Sequence, residues 1–280
     1  MTVAQPHATS FGPRLVATAT GQLRAALLVR PSIAIESAAP LIGEPGAIYE
    51  RALEQHAVLR KTLEYFGVEV TVAEAAGTDP YEVSAGDTAV VFEDGAALMR
   101  LTPLGRRAEV ERLQTHFASL DVPLAGHIEA PGLLDGNDVV LAGGTAFVAV
   151  GSRGNELGRR GFAELARSHG YRVVEVRVAR GVTALRAVLG AAASDTLVVG
   201  ADALDLDDLE GFRIIVLDRD EAQAAGVLPL DDRHVLADIR FRTALSMMRR
   251  AGITVEAIDL YEFAKLGMTP SMLALPLRRE

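Results

Sequence analysis

Ser271 lies in the run Gly267-Met268-Thr269-Pro270-Ser271-Met272-Leu273-Ala274-Leu275-Pro276-Leu277, which reads as a loop entering a short apolar strand. A chain uses such an entry to deliver one side chain into a site. A serine hydroxyl becomes a nucleophile only beside a base, and the flanking sequence offers no obvious one. The chain has no cysteine, which excludes thiolate nucleophiles, thiolate metal sites and disulfides. Asp87 opens a strand-like run, Asp135 sits in a Leu-Asp-Gly turn, and Asp138 follows three residues later. Aspartates in such places commonly bond nearby backbone. Arg100 and Arg153 read on their own as surface or ion-pair residues. Among the six histidines, His56, His116 and His169 fall in helix-like runs, and His234 carries little signal. His127, seven residues before Leu134, is the one near these acids and the one available as a replacement base. No two histidines have metal-ligand spacing, and neither a His-Glu-x-x-His motif nor a Gly-rich phosphate loop occurs. No metal or cofactor is expected.

These residues must be held by helices and strands. Leu23 to Val29 is an apolar run ending in Arg30-Pro31-Ser32, a strand into a turn. Glu50 to Phe66 places Ala52, Leu53, His56, Leu59, Leu63 and Phe66 near helical spacing, and after Gly67 the alternation of Val68 to Val72 is that of a strand. The same hand-over from helix to strand returns at Phe117 to Leu124, Ala166 to Val174 and Met248 to Val255. Between these lie hairpin signals: Glu93-Asp94-Gly95 joins Asp87–Phe92 to Ala96–Arg100, and Ala142-Gly143-Gly144 joins Asp138–Leu141 to Thr145–Val150. Residues 201–232 are the least regular, and their acidic run from Asp202 to Glu210 reads as solvated surface. Residues 1–22 read as a flexible tail and 23–280 as one α/β domain, since no linker divides them. Alternation alone leaves the α/β topology open.

Apolar residues make up 49% of the 280 residues and charged residues 23%, a globular balance. The net charge of −9 argues against nucleic acid or an anionic membrane as partner. No run reaches the length of a membrane span and no secretory leader is evident, so a cytoplasmic location is expected.

Leu134-Asp135-Gly136-Asn137-Asp138-Val139 resembles the Leu-Asp-Gly-Gly-Asp-Val motif of dimethylarginine dimethylaminohydrolases, members of the guanidino-group-modifying (pentein) superfamily. Asp87-Thr88-Ala89-Val90-Val91-Phe92 is similar to the segment after that family's Phe-Val-Glu-Asp. Arg106-Arg107-Ala108-Glu109-Val110 is similar to its Arg-Arg-x-Glu-Val helix start, Arg153-Gly154-Asn155 to its Arg-Thr-Asn, and Phe263-Ala264-Lys265-Leu266 to the run leading to its catalytic cysteine. Order and spacing agree from about Leu23 to Leu277. The resemblance implies an α/β propeller of five ββαβ-like units around a pseudo-fivefold axis, with its site in the central channel and its fifth copy in residues 186–232.

The family's chemistry is covalent attack on a guanidinium carbon by a cysteine thiolate, with a histidine shuttling protons and carboxylates gripping the cation. Carried onto this chain, the nucleophile position holds Ser271, the histidine position Ala184, and the glutamate position Gly86. Asp87 remains as a guanidinium ligand, Asp135 as the acid that would orient the histidine, and Arg100 and Arg153 as anchors for the α-carboxylate of an arginine-like ligand. The expectation is a catalytically degenerate binder of an arginine-like or other small amino-acid ligand. One alternative is an altered enzyme acting on a C–N bond through Asp87, Asp135, Ser271 and His127. Another is a non-catalytic subunit, as a homodimer or paired with an active paralogue.

Overall fold

A computed structural model describes residue 12, residues 14–151 and residues 153–280. In chain order, β1 (Leu23–Arg30), α1 (Tyr49–Tyr65) and β2 (Glu69–Glu74) come first, then β3 (Ala89–Val91), β4 (Ala96–Leu98), α2 (Arg107–Ser119) and β5 (Leu124–His127). Next are β6 (Val139–Ala142), β7 (Thr145–Val150), α3 (Glu156–Ser168) and β8 (Arg172–Arg177), then β9 (Leu189–Ala193), β10 (Thr196–Gly200) and β11 (Arg213–Leu217). The chain ends with β12 (Leu228–Asp231), β13 (His234–Asp238), α4 (Arg242–Arg250), β14 (Thr254–Ile258), α5 (Tyr261–Ala264), the helical turn α6 (Pro270–Leu273) and β15 (Ala274–Arg279).

The described strands form five three-stranded sheets: β15-β1-β2, β3-β4-β5, β6-β7-β8, β9-β10-β11 and β12-β13-β14. In each, the first pair is antiparallel and the second parallel. A parallel pair needs a crossover, and in four units a helix supplies it. Each helix stops where the chain takes positive φ, at Gly67, Asp121, Gly170 and Gly252. Three of these are glycine, which enters that region without steric penalty. The fourth crossover carries only the 3-10 turn Leu206–Leu209, inside the acidic run, whose Asp205 and Asp207 are exposed. This unit, β9 to β11, falls in the 186–232 region expected to hold the remaining copy.

The helices lay apolar faces on their sheets. In α2, Leu113 and Phe117, one turn apart, are buried with Ala89, Val91 and Leu98. Removing side chains of this size from water contributes about 1.5–3 kcal/mol each.

The first sheet joins the two ends of the chain: Leu23 of β1 faces Arg279 of β15, and Leu28 faces Ala274. The segment expected as a flexible tail lies outside the described residues through position 11 and at 13. From Arg14 onward the expectation is corrected, because the segment runs along β15. The Leu15 N–H donates to the Glu93 carbonyl at 2.8 Å, the Arg279 N–H donates to the Leu15 carbonyl at 2.8 Å, and Leu15 and Val16 are buried.

Candidate functional site

Five short turns converge just before the first strand of each unit: Ala85–Asp87, Gly136–Asp138, Leu185–Ala187, the end of Arg219–Ala225, and α6. They touch in sequence around the axis. The Ser271 N–H donates to the Gly226 carbonyl at 3.2 Å, and Arg186 Nη1 donates to the Ser271 carbonyl at 3.1 Å. Glycine is needed for this closeness. A Cβ at Gly86 would lie 2.6 Å from Asn137 Oδ1, 2.7 Å from Arg186 Nη1 and 3.1 Å from the Met272 carbonyl, and a Cβ at Gly136 would strike the Gly86 carbonyl.

Acids gather where two of these turns meet. Asp87, Asp135 and Asp138 are buried, at 2%, 0% and 0% exposure. Buried carboxylates demand cationic or hydrogen-bonding partners, and two arginines answer. Arg106 Nη1 donates to Asp87 Oδ2 at 2.8 Å, while its Nε and Nη2 grip Glu109 at 2.7 and 2.8 Å and Nη2 also reaches the Tyr81 carbonyl at 2.9 Å. Arg153 Nη2 donates to the other Asp87 oxygen at 3.2 Å. Its Nη1 pairs with Asp135 Oδ2 at 2.9 Å and its Nε lies 3.6 Å from Asp138 Oδ2. Backbone donors reach one oxygen of each of the other two acids: Thr102 N–H to Asp135 Oδ1 at 2.6 Å and Leu185 N–H to Asp138 Oδ1 at 3.1 Å.

Burial tends to raise the Asp87 pKa, but Arg153 and Arg106 outweigh it and hold the carboxyl below its ordinary range. Asp135 moves the other way. Burial and the charge of Asp87 push it up against the pull of Arg153. The buried carboxylates of Asp87, Glu109, Asp135 and Asp138, with Asp79 3.7 Å from Arg106 Nε, outnumber the two guanidiniums they meet, so full ionisation leaves negative charge in excess. The arrangement suits the retention of a proton or of a further cation.

Of the residues singled out from sequence, Asp87, Asp135 and Arg153 are thus brought together. Arg153 meets acids, where it was expected to meet the carboxylate of a ligand. Arg100 is elsewhere: its Nη1 donates to the Gly132 carbonyl at 3.1 Å, tying the 132–134 loop to β4. The suggestion of His127 as a base is corrected, since its side chain is 64% exposed on β5 and faces Glu129 at 4.0 Å. Ser271 Oγ pairs with Thr269 Oγ1 at 3.2 Å, and among the described residues no histidine or carboxylate bonds to it. Ala184 is buried among apolar side chains.

Sequence reasoning missed Arg106 and Arg186. Arg106 could have been found from its i,i+3 spacing to Glu109 on a helix start. Arg186 has no such local signal. Its Nε donates to the Val139 carbonyl at 2.9 Å, a contact 47 residues away in sequence. The described residues contain no cluster of acids and histidines fit for a metal ion.

The five-unit ring with its axial site is the pentein fold, and over most of its length the chain is similar to dimethylarginine dimethylaminohydrolases. It is 24% identical over 234 residues to the dimethylarginine dimethylaminohydrolase of Pseudomonas aeruginosa, covering 84% of this chain and 91% of that protein. To the enzyme of the same name from Streptomyces coelicolor it is 29% identical over 227 residues, covering 81% and 86%. Among solved structures, a cysteine-to-serine mutant of the Pseudomonas aeruginosa protein complexed with citrulline superposes with a TM-score of 0.82 at 20% identity, over 91% of this chain and 99% of that one. The N-terminal domain of ArgZ, an arginine dihydrolase from the ornithine–ammonia cycle in cyanobacteria, bound to product, superposes with a TM-score of 0.81 at 17% identity, over 92% and 98%. No family model matches the chain. No helix of the described residues is long and apolar enough to cross a membrane.

Proposed function

We propose that this chain is a catalytically degenerate relative of the dimethylarginine dimethylaminohydrolases that binds the guanidinium of an arginine-like ligand at Asp87, Asp135 and Asp138. The observation that carries this reading is the position of Arg153, whose guanidinium is gripped by all three acids. A cluster that accommodates one guanidinium has the charge and fork geometry for another. Arg153 stands between Gly151 and Gly154, both at positive φ, and its side chain is 26% exposed. Displacement of the Arg153 side chain by a ligand guanidinium would hand it the acids. The citrulline complex of the Pseudomonas aeruginosa relative supports an arginine-derived ligand class. The degenerate half of the reading rests on the absence of cysteine and on Ser271, whose hydroxyl, among the described residues, has Thr269 as its side-chain partner.

The test is twofold. Purified protein incubated with arginine, N-methylated arginines or agmatine is expected to release no citrulline-type product; turnover at an ordinary enzymatic rate would overturn the loss of catalysis. Thermal shift with the same compounds is expected to be larger for Arg153→Ala than for the unaltered protein, because the internal competitor is gone. Absent shifts in both proteins would overturn guanidinium binding, and equal shifts would overturn its placement at the acids that hold Arg153.

A further inference from the structure

Beyond the ring of turns lies a second site with charge of the opposite sign. The first strands of all five units line a cavity of about 80 Å³, contributing Val90, Val140, Leu189, Leu228 and Leu275 among others, and none of the acids of the first site lines it. Its walls are apolar, yet two guanidiniums enter them, those of Arg186 and Arg279. Arg279 is 2% exposed and donates Nη1 to the Gly21 carbonyl at 2.9 Å and Nη2 to the Pro229 carbonyl at 2.8 Å. Arg186 is half-buried, with the cavity itself as its open side, and donates to the Val139 and Ser271 carbonyls.

A guanidinium has five N–H donors, and carbonyls neutralise no charge. Among the described residues no carboxylate lies within ion-pair distance of either group, although 21 such pairs form elsewhere. Two cations in an apolar enclosure are costly unless an anion joins them. Burial lowers the pKa of Arg186 to about 10 against the pull of Asp87, and burial with the charge of Arg186 lowers that of Arg279 to about 9 against the pull of Asp231, so both remain cationic at neutral pH.

We infer that the axial cavity is a binding site for a short-chain monocarboxylate, its carboxylate held by Arg186 and Arg279 and its alkyl body packed on the five inner strands. The carboxylate head matches a guanidinium fork. The valines and leucines favour an alkyl body over a strongly hydrated ion, and the modest volume suits a chain of a few carbons. The residues of this site differ from those of the guanidinium site, although Asp87 is close enough to act on the charge of Arg186.

The experiment compares sodium butanoate, acetate, phosphate and chloride at matched ionic strength, by thermal shift and calorimetric titration of the full chain. Butanoate is expected to bind once per chain and to raise Tm by about 2–5 °C at tenfold excess over its Kd. Arg186→Met and Arg279→Met, made singly, are each expected to abolish the butanoate-specific shift. The inference is overturned if butanoate does no more than chloride, if phosphate alone shifts Tm, or if a folded variant of either arginine keeps the full butanoate shift. Should Arg279→Met fail to fold, Arg186→Met and the titration of the unaltered protein still decide the matter.

Discussion

Arg106 Nη1 meets Asp87 Oδ2 at 2.8 Å, with both side chains only 3% exposed. The same guanidinium binds both oxygens of Glu109. One arginine therefore fixes the angle of an acid in the site while anchoring the start of α2. Arg106→Met is expected to lower stability by about 3–5 kcal/mol, because it strands two buried carboxylates. Arg106→Lys should recover only part of the loss, since an ammonium cannot reproduce the fork. Urea unfolding of the two variants checks this, and a loss below about 1 kcal/mol in Arg106→Met would contradict it.

Gly86 occupies the position where the resembling enzymes carry glutamate. The space for that side chain is taken by Asn137 Oδ1, Arg186 Nη1 and the Met272 carbonyl. Gly86→Ala should destabilise by about 1–3 kcal/mol through overpacking. Gly86→Glu should prevent folding of the axial ring, so restoring the family's acid requires Arg186 to be shortened as well. Chemical denaturation of Gly86→Ala, and of Gly86→Glu with and without Arg186→Ala, measures the effect.

Asp238 is 3% exposed, and one of its oxygens accepts from the Arg240 N–H at 3.0 Å. Burial raises its pKa to about 6. The folded state thus holds a proton that the unfolded state loses near pH 4. The resulting stabilisation is complete below pH 4 and falls away as pH rises through about 6, by up to about 3 kcal/mol. Asp238→Asn keeps the acceptor for Arg240 and should be the more stable protein at pH 7. Parallel denaturation curves at pH 4.5 and 7.5 test it: the gap between variant and parent should widen at the higher pH.

His56 is buried on the inner face of α1, where its Nε2 lacks a partner. Burial, then Arg30 and Arg60, lower its pKa to about 4. The neutral ring is what folds, so its contribution is full above pH 6.5 and is lost as pH falls through about 4, amounting to roughly 3 kcal/mol. His56→Leu should flatten that acid limb. A pH-stability profile unchanged between pH 4 and 6.5 would exclude His56 as its source.

Much of the architecture was legible because its signals are local. Helix periodicity followed by a stop at Gly67, Asp121, Gly170 or Gly252 marks the crossover of a unit wherever a helix exists. The fourth unit escaped this reading because its crossover holds only a 3-10 turn at Leu206–Leu209, too short for periodicity to register. In the site, the turns bearing Asp87 and Asp135 could be read from motif resemblance, but their charge partners could not. Arg153 and Asp87 are 66 residues apart, and their meeting depends on the ring closing. Arg186 was opaque for the same reason, since its partners Val139 and Ser271 lie 47 residues before and 85 after it. His127 shows the converse: closeness in sequence to Leu134 put it beside the motif, while the direction of β5 turned it to solvent.

The sheet that joins β1 to β15 sets an order on assembly. During synthesis β1 emerges well before β15, and one of its edges stays without its partner until residues 274–279 have left the ribosome. Leu23, Ala26 and Leu28 must wait with it, because Leu273 and Ala274 belong to the same core. The other four units can complete their hydrogen-bonded triplets as they appear. Here the opening strand is finished last, which leaves a sticky edge that a nascent chain must shield by staying loosely collapsed or by borrowing a helper.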